Sequence, residues 1–395
     1  MTLNSITGSA QTTEWPNSRI EAWKYTDLNQ LVSNMPLSNG SPSIPLWQVE
    51  PHDLQSLFTE LESPEAILRE LDGFSRLVHA AGRGGWLAHI PAGTSSNFPV
   101  RLTYTPSSNA GWSGYTHQIQ VAEGARITLI EEFEEDESPE NLSVKNEPLE
   151  AYSTPVLSMT LHHLQVNLAR GAELKLIRLF HCPMSKALVH QIDAQQEEGS
   201  NLEVQTVVMG SGIIRNNIHI QQLGDRCSSN LLGLSVAIGG GHLDQYSRIR
   251  HNALEGNSHQ HYKAIAAPNS TTIFNGVLRV EPNAQQTNAY QRSSNLMLDP
   301  ASLSRVNGSS PSIRSGKVNA KPELQIFADN VKCSHGATMG KLNTDSIFYL
   351  QSRGLTFEEA QKILTLAFAM EIVDQLEDER MRAKVISILD LKQWQ

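Results

Sequence analysis

Along this chain, apolar and polar positions follow helical spacing at both ends and strict alternation in between. Near the start, Leu54, Leu57, Phe58 and Leu61, then Ile67, Leu68, Leu71 and Phe74, recur at the spacing of a helix face. Pro51 and Pro64 open the two runs, as suits a first helical turn, and Gly82-Arg83-Gly84-Gly85 closes the second. The pattern predicts helices over 51–61 and 64–81 inside a mostly helical N-terminal domain, 1–97.

From about residue 98 the period drops to two: Ile119 and Val121, Ile127 and Leu129, Val166 and Leu168, Leu202 and Val204, Ile218 and Ile220. The strands also repeat. Glu123-Gly124-Ala125, Arg170-Gly171-Ala172 and Glu198-Gly199-Ser200 each precede an alternating strand, and Leu223-Gly224-Asp225 reads as a degenerate fourth copy. The glycines stand roughly 47, 28 and 25 residues apart, the first gap widened by an acidic stretch, 134–150, that reads as a solvated loop. One glycine turn per unit predicts a β-solenoid, whose coils bury their faces only by stacking. A β-sandwich with Gly-Ala turns would give the same pattern, so both architectures stay open for the core, 98–343.

Helical spacing returns over 344–395. Thr344 is the expected cap of a short helix over 345–353, with Gly354 at its stop, and Thr356 with Glu359 forms a capping box. The following helix carries two apolar stripes, Ala360, Ile363, Leu364 and Ala367, and then Leu366, Met370 and Val373. A surface helix needs one, so the second is either buried in the fold or offered to a partner. A last amphipathic segment, 377–391, carries Met381, Val385, Ile388 and Leu389.

With 39% hydrophobic residues in 395, whole-chain disorder is excluded. The net charge of −10 supplies no basic footprint for nucleic acid or an anionic membrane, and no apolar run approaches the ~18 residues of a spanning helix. The opening lacks the features of a secretory signal, and three cysteines make no disulfide framework. These features predict a soluble protein of a reducing compartment.

No P-loop, GxSxG, HExxH or CxxC is present. The soft or borderline ligands are His162-His163, His181-Cys182, His259-x-His261 and Cys333-x-His335. On a strand, residues two apart share a face, so each of the last two pairs could offer two ligands to one metal; imidazoles on polar β-surfaces also simply hydrogen-bond. Cys182 and Cys227 read as small buried hydrophobes. Cys333 sits beside Lys332, whose charge is expected to favour the thiolate.

The run Ala328-Asp329-Asn330-Val331-Lys332-Cys333-Ser334-His335-Gly336-Ala337-Thr338-Met339-Gly340 resembles the signature of the SufB/SufD family of iron–sulfur cluster assembly proteins. The likeness continues through Phe348 to Gly354 and Ala367-Phe368-Ala369, and reappears at Glu21 to Thr26, Phe274-Asn275-Gly276 and Gln285 to Gln291. Ser-His-Gly-Ala stands where SufB proteins typically carry a Glu-His-Glu-Ala type sequence. A stretch richer in Ser and Gly than the family pattern, 300–318, is expected to be a loop insertion near the site.

The resemblance implies a mainly β protein, with a right-handed parallel β-helix core between N-terminal and C-terminal helical domains. It implies a non-catalytic scaffold that binds no nucleotide, pairs with SufB and docks a SufC ATPase; whether the isolated chain forms a homodimer or only the heterocomplex stays open. A transient iron–sulfur cluster or iron would be shared with SufB, through His335 as the main residue and Cys333 in support. Leu324, Ile326 and Ala328 would face SufB, and Leu366, Met370 and Val373 would face SufC. The expected compartment is the bacterial cytosol rather than a plastid stroma. Two rival readings are a polysaccharide-active enzyme built on a β-helix and a purely structural solenoid.

Overall fold

The structure is a computed structural model that describes residues 84–96, 98–104, 111–133, 158–299 and 314–390. It also describes 19–27, 47–50, 52–61 and a few single positions, including 74, 75, 77 and 78. The early strands are β1 (Trp47–Glu50), β2 (Phe58–Leu61), β3 (Gly85–Ile90), β4 (Val100–Tyr104), β5 (Gly111–Val121) and β6 (Arg126–Phe133). Next come β7 (Ser158–Leu168), β8 (Glu173–Cys182), β9 (Lys186–Gln196), β10 (Asn201–Gly210), β11 (Ile213–Gln222) and β12 (Ser228–Ala237). The last are β13 (His242–His251), β14 (Asn257–Ala266), β15 (Thr271–Val280), β16 (Asn288–Met297), β17 (Lys317–Ile326) and β18 (Lys332–Gly340). Three helices follow: α1 (Thr344–Ser352), α2 (Phe357–Val373) and α3 (Glu379–Asp390).

The strands make two nine-stranded sheets, β1-β4-β6-β8-β10-β12-β14-β16-β18 and β2-β3-β5-β7-β9-β11-β13-β15-β17. From β7 on, successive strands alternate between the sheets and pair in parallel with the strand two places earlier, so each coil adds one strand to each sheet. That is a parallel β-solenoid, and the sandwich alternative falls. Its inner core holds all ten alternating residues named above, from Ile119 to Ile220. The ladder also reaches back before residue 98, because β3 pairs in parallel with β5.

The repeated corner is a left-handed residue. It recurs at Gly124, Gly171, Gly199, Arg226, Glu255 and Gln286, all with φ between 57° and 68°. Each donates its N–H to the next coil, as in Gly199 to the Asp225 carbonyl (2.8 Å) and Arg226 to the Leu254 carbonyl (2.9 Å). The fourth copy is therefore centred on Arg226 rather than Gly224, and two further copies carry no glycine. Gly224 answers a different need, since a Cβ there would lie 2.1 Å from the Glu198 nitrogen.

A polar axis runs inside the apolar core. Arg178 and Glu131, both 0% exposed, pair at 2.8 Å. Tyr104 donates to Glu131 and receives the Trp86 indole N–H, while Arg178 also donates to Asn216, whose amide donates to Gln245. Beside them His117, His162 and His190 stack, with His117 Nε2 3.1 Å from His162 Nδ1. Burial pushes all three imidazoles down, His162 to about 3, so they are neutral in the fold.

Each sheet is also covered on its outer face, by opposite ends of the chain. Trp23, Phe74, Leu77 and Val78 pack with Trp112, Leu161 and Val189. Ala369, Ile372, Val373, Leu376, Met381, Val385 and Leu389 pack with residues such as Ile177, Val207, Leu234 and Ile265. Strands buried on both faces read as nearly continuous apolar runs in such places.

Several expectations change. The helix predicted over 51–61 is a short 3-10 turn, His52–Leu57, followed by strand β2 antiparallel to β3, with Phe58 against Trp86 at 5.5 Å. Most of the helix expected over 64–81 lies outside the described residues, though Phe74, Ser75, Leu77 and Val78 are helical and buried. The acidic stretch 134–150 and residues 300–313 also lie outside them, and Lys317 and Val318, expected in the insertion, begin β17. Asn343, not Thr344, caps α1, accepting from Asp345 and Ser346; Gly354 takes φ 95° at its end. The capping box at Thr356 is present.

The axis yields two predictions. Glu131→Leu leaves a buried guanidinium without its carboxylate and should cost about 3–5 kcal/mol, with much of it restored in Glu131→Leu/Arg178→Met. Urea midpoints check this; a single-variant loss below 1 kcal/mol contradicts it. The second concerns pH. The unfolded chain protonates its histidines near 6.5 while folded His162 stays neutral to about 3 and His251 to about 4. Both contributions are intact above 6.5 and are lost as pH falls through these windows, at up to about 1.4 kcal/mol per pH unit per histidine. His162→Phe should flatten the slope of unfolding free energy between pH 6.5 and 5, and an unchanged slope contradicts the assignment.

Candidate functional site at the open end of the solenoid

The two ends of the solenoid are finished differently. At the first coil, β1 and β2 run antiparallel along β4 and β3 and close the parallel ladder. At the last coil, among the described residues, β17 pairs only with β15 and β18 only with β16, so both strands present edges unpaired by any described residue.

On β18, Cys333 stands beside Ala289 and His335 beside Gln291 in the parallel register. Ala289 and Gln291 are interior residues, 0% and 3% exposed, so Cys333 and His335 continue interior ladders to the mouth. Among the described residues no further coil covers them: His335 is exposed and Cys333 half-buried. Leu324, half-buried on β17, continues the opposite wall above Leu278. Ile326 (40%), Phe327 (54%) and Met339 (57%) complete an exposed apolar rim. Ala328 does not belong to it, being buried against Val280 and Ala284.

The expected activation of Cys333 is not what this setting produces. Burial pushes its thiol up, and a backbone hydrogen bond at Ala289 offsets that only in part. Lys332 is the next residue on a strand and projects to the other face. Among the described residues, no three His, Cys, Asp or Glu side chains are arranged to hold a metal. Cys333 and His335 thus supply two donors of different softness and no more.

The pleat separates the adjacent pair His162-His163. His162 lies in the interior stack, whereas His163 faces outward and meets Asp193 at 2.7 Å. Burial opposes ionisation of Asp193, yet hydrogen bonds from His163 and His219 carry its carboxyl far below the usual range. His259 and His261 share the outer face, His261 reaching Glu371 at 3.6 Å. Cys182 is buried with its Sγ 3.4 Å from the Lys186 carbonyl, and burial raises the Cys227 thiol; neither cysteine reaches the mouth.

The stripe expected to receive an ATPase packs inward. Val373 is fully buried, and Leu366 and Met370 are half-buried against the same outer cluster. The helices need that face to cover the sheet of β8, β10 and β12. What they leave in water is Phe348 (73%) and Tyr349 (57%) on α1, with Ile363 (45%) on α2. The sequence held a signal for this, since adjacent aromatics in a helix point about 100° apart and cannot share one narrow buried stripe.

Residues 104–368 match the family described as "SUF system FeS cluster assembly, SufBD core domain". The chain belongs to this family. It is similar to the iron–sulfur cluster assembly protein SufD of Escherichia coli, 26% identical across 94% of this chain and 88% of the relative. An iron–sulfur cluster assembly SufBD family protein of Synechocystis is 27% identical across 91% and 84%. The chloroplastic protein ABCI7 of Arabidopsis thaliana is 31% identical across 74% of this chain, which spans 57% of that relative. The named relatives support the SufD branch and a role in iron–sulfur cluster assembly. They include a bacterial and a chloroplastic protein. Among the described residues, no helix is long and apolar enough to cross a membrane.

A raised, half-buried thiol should alkylate slowly. Iodoacetamide at pH 7.5 is expected to modify Cys333 several-fold more slowly than a free cysteine, measured by mass spectrometry of the 332–340 peptide. A rate equal to or above that of free cysteine contradicts the assigned environment.

Proposed function

We propose that this chain is a non-catalytic scaffold subunit that pairs end to end with a SufB-type subunit, docks a SufC-type ATPase and helps hold a nascent iron–sulfur cluster as cargo. The observation that carries the reading is the open last coil, where two unpaired strand edges surround a lumen ending in Cys333 and His335. A second solenoid placed there would satisfy the backbone edges and cover Ile326, Phe327 and Met339 together. The same edge would be open to a second copy of this chain where no SufB-type subunit is present. Neutral imidazole is a competent ligand for ferrous iron, and two donors from this side require the rest to come from the partner or from sulfide. The ATPase would sit on Phe348, Tyr349 and Ile363, since the Leu366–Met370–Val373 stripe faces the sheet. The expected compartment is the bacterial cytosol.

The experiment is co-expression with SufB-type and SufC-type subunits, anaerobic purification, and iron and sulfide assay. His335→Ala should leave assembly and thermal midpoint near wild type while lowering iron and sulfide at least threefold; Cys182→Ser and Cys227→Ser serve as silent controls. A His335→Ala complex that loads fully overturns the site. Ile326→Pro should weaken pairing with the SufB-type subunit at least tenfold, because proline removes an edge N–H and bends the strand. Sedimentation showing an intact complex would argue against end-on pairing. Phe348→Asp/Tyr349→Asp should abolish co-purification of the ATPase without changing the urea midpoint of the core, and retained ATPase would exclude that surface.

A further inference from the structure

The C-terminal helices are fastened to the solenoid at two separate places. The far fastening lies at the turn between α2 and α3. There Asp378 pairs with Arg101, Glu377 with Lys175 at 2.6 Å, and Lys384 with Glu132 at 2.8 Å, so the bonds fall on early coils. Besides the apolar packing, the near polar fastening centres on one carboxylate. Glu371 on α2 pairs with Lys263 and lies 3.6 Å from His261 and 3.9 Å from Arg292. Lys263 is only 5% exposed; its ammonium also donates to the Phe368 carbonyl at 2.9 Å and stands 4.1 Å from that ring. Beyond Glu371 the contact loosens. A groove lined by Asn295, Leu296, Thr338, Met339, Leu364 and Phe368 separates the first half of α2 from the ends of β16 and β18.

The three basic side chains are not scattered, although burial pushes the His261 imidazole down, so the charged partners are Lys263 and Arg292. Lys263 and His261 are on β14, and His261 pairs in register with Arg292 of β16, which pairs with Gly336 of β18. Gly336 is the neighbour of His335, and a Cβ there would meet nothing within 4 Å. One carboxylate therefore bonds to the two strands beneath the open edge, on the ladder that ends next to the candidate iron ligand.

We infer that Glu371 is a positioning residue that couples the overhanging unit, α1 with the first half of α2, to the β14–β16–β18 ladder, so that a load applied to α1 reaches the edge carrying His335. The inference rests on the proposed function for the partner that applies the load, an ATPase bound at Phe348 and Tyr349. A Coulombic hub suits this role because it holds a fixed point while the apolar groove beside it tolerates sliding. Lys263 has little solvent to turn to and stays with the helix, whereas Arg292, 65% exposed at its side chain, is the member free to move with the edge.

The test uses the co-expressed complex and hydrogen exchange of the 332–340 peptide with ATP against ADP. In the wild-type complex the two nucleotides should give different protection. In Glu371→Gln the ATPase should co-purify at wild-type stoichiometry while that difference falls at least fourfold; Glu371→Asp, which keeps the charge, should retain more than half. Arg292→Gln, which leaves Lys263 paired, should lower the difference about twofold. A full difference in both Gln variants overturns the inference, as does loss of the ATPase from Glu371→Gln, which would make Glu371 a docking residue. Should Glu371→Gln not fold, Arg292→Gln and Glu371→Asp decide. A wild-type complex that lacks the ATPase, or shows no nucleotide difference at 332–340, overturns the proposed function itself.

Discussion

A parallel coil satisfies its backbone only through the coil above and the coil below, and that requirement organises the whole molecule. Every N–H and C=O of a middle strand such as β10 has neighbours in β8 and β12. Among the described residues, the last coil has a neighbour on one side only. Burying unpaired peptide groups is costly, so such an end must be folded over, covered or paired. At the first coil the chain does the covering itself, by turning β1 and β2 antiparallel. At the last coil it leaves for α1 after β18 and returns to cover the outer face of a sheet instead. The exposed rim, the half-buried thiol and the bare imidazole all follow from that departure.

The interior adds a second consequence of stacking. In a solenoid, a side chain's nearest neighbours are the equivalent residues one coil away, so polar groups become tolerable inside only as ladders. Tyr115, His162, His190, Asn216 and Gln245 occupy one such ladder across five strands. Arg178 and Glu131 occupy another, facing it. Where ladder neighbours bond, as Asn216 does to Gln245, that bond replaces one to water, whereas His190 only stacks on His162 and its ring nitrogens find no partner among the described residues. On the His335 ladder the residues are Leu231, Gln260, Gln291 and then His335, so polarity rises toward the mouth.

Much of the fold was legible because its physics is local. Period-two alternation marked the inner core residue by residue, and three glycine corners marked the coil. The remaining corners were invisible because Arg226, Glu255 and Gln286 hold a left-handed conformation that the surrounding ladder enforces against their own preference, at about 1–2 kcal/mol each. The 51–61 segment misled for a different reason. Four apolar residues in eight positions fit a helix face, and pairing with β3 decided for a strand. On α2 the second apolar stripe was visible, but its destination depends on a sheet surface that no helical pattern discloses. The Cys333–His335 face was legible from spacing alone. The chemistry of Cys333 was not, since neighbours in sequence alternate across a strand while neighbours in space come from β16.

Closure of the mouth also bears on what the two donors do. Cys333 is already half-buried and its thiol pushed up, and covering it with a partner removes more water and raises the cost of a bare thiolate further. On the proposed reading, a sealed but metal-free interface therefore keeps Cys333 protonated and inert, whereas bound iron supplies the positive charge that a thiolate needs there. On that reading, pairing leaves the thiol to deprotonate only on the metal. Cys333 would then follow the other donors rather than lead them, for a reason that lies in its burial rather than in its identity.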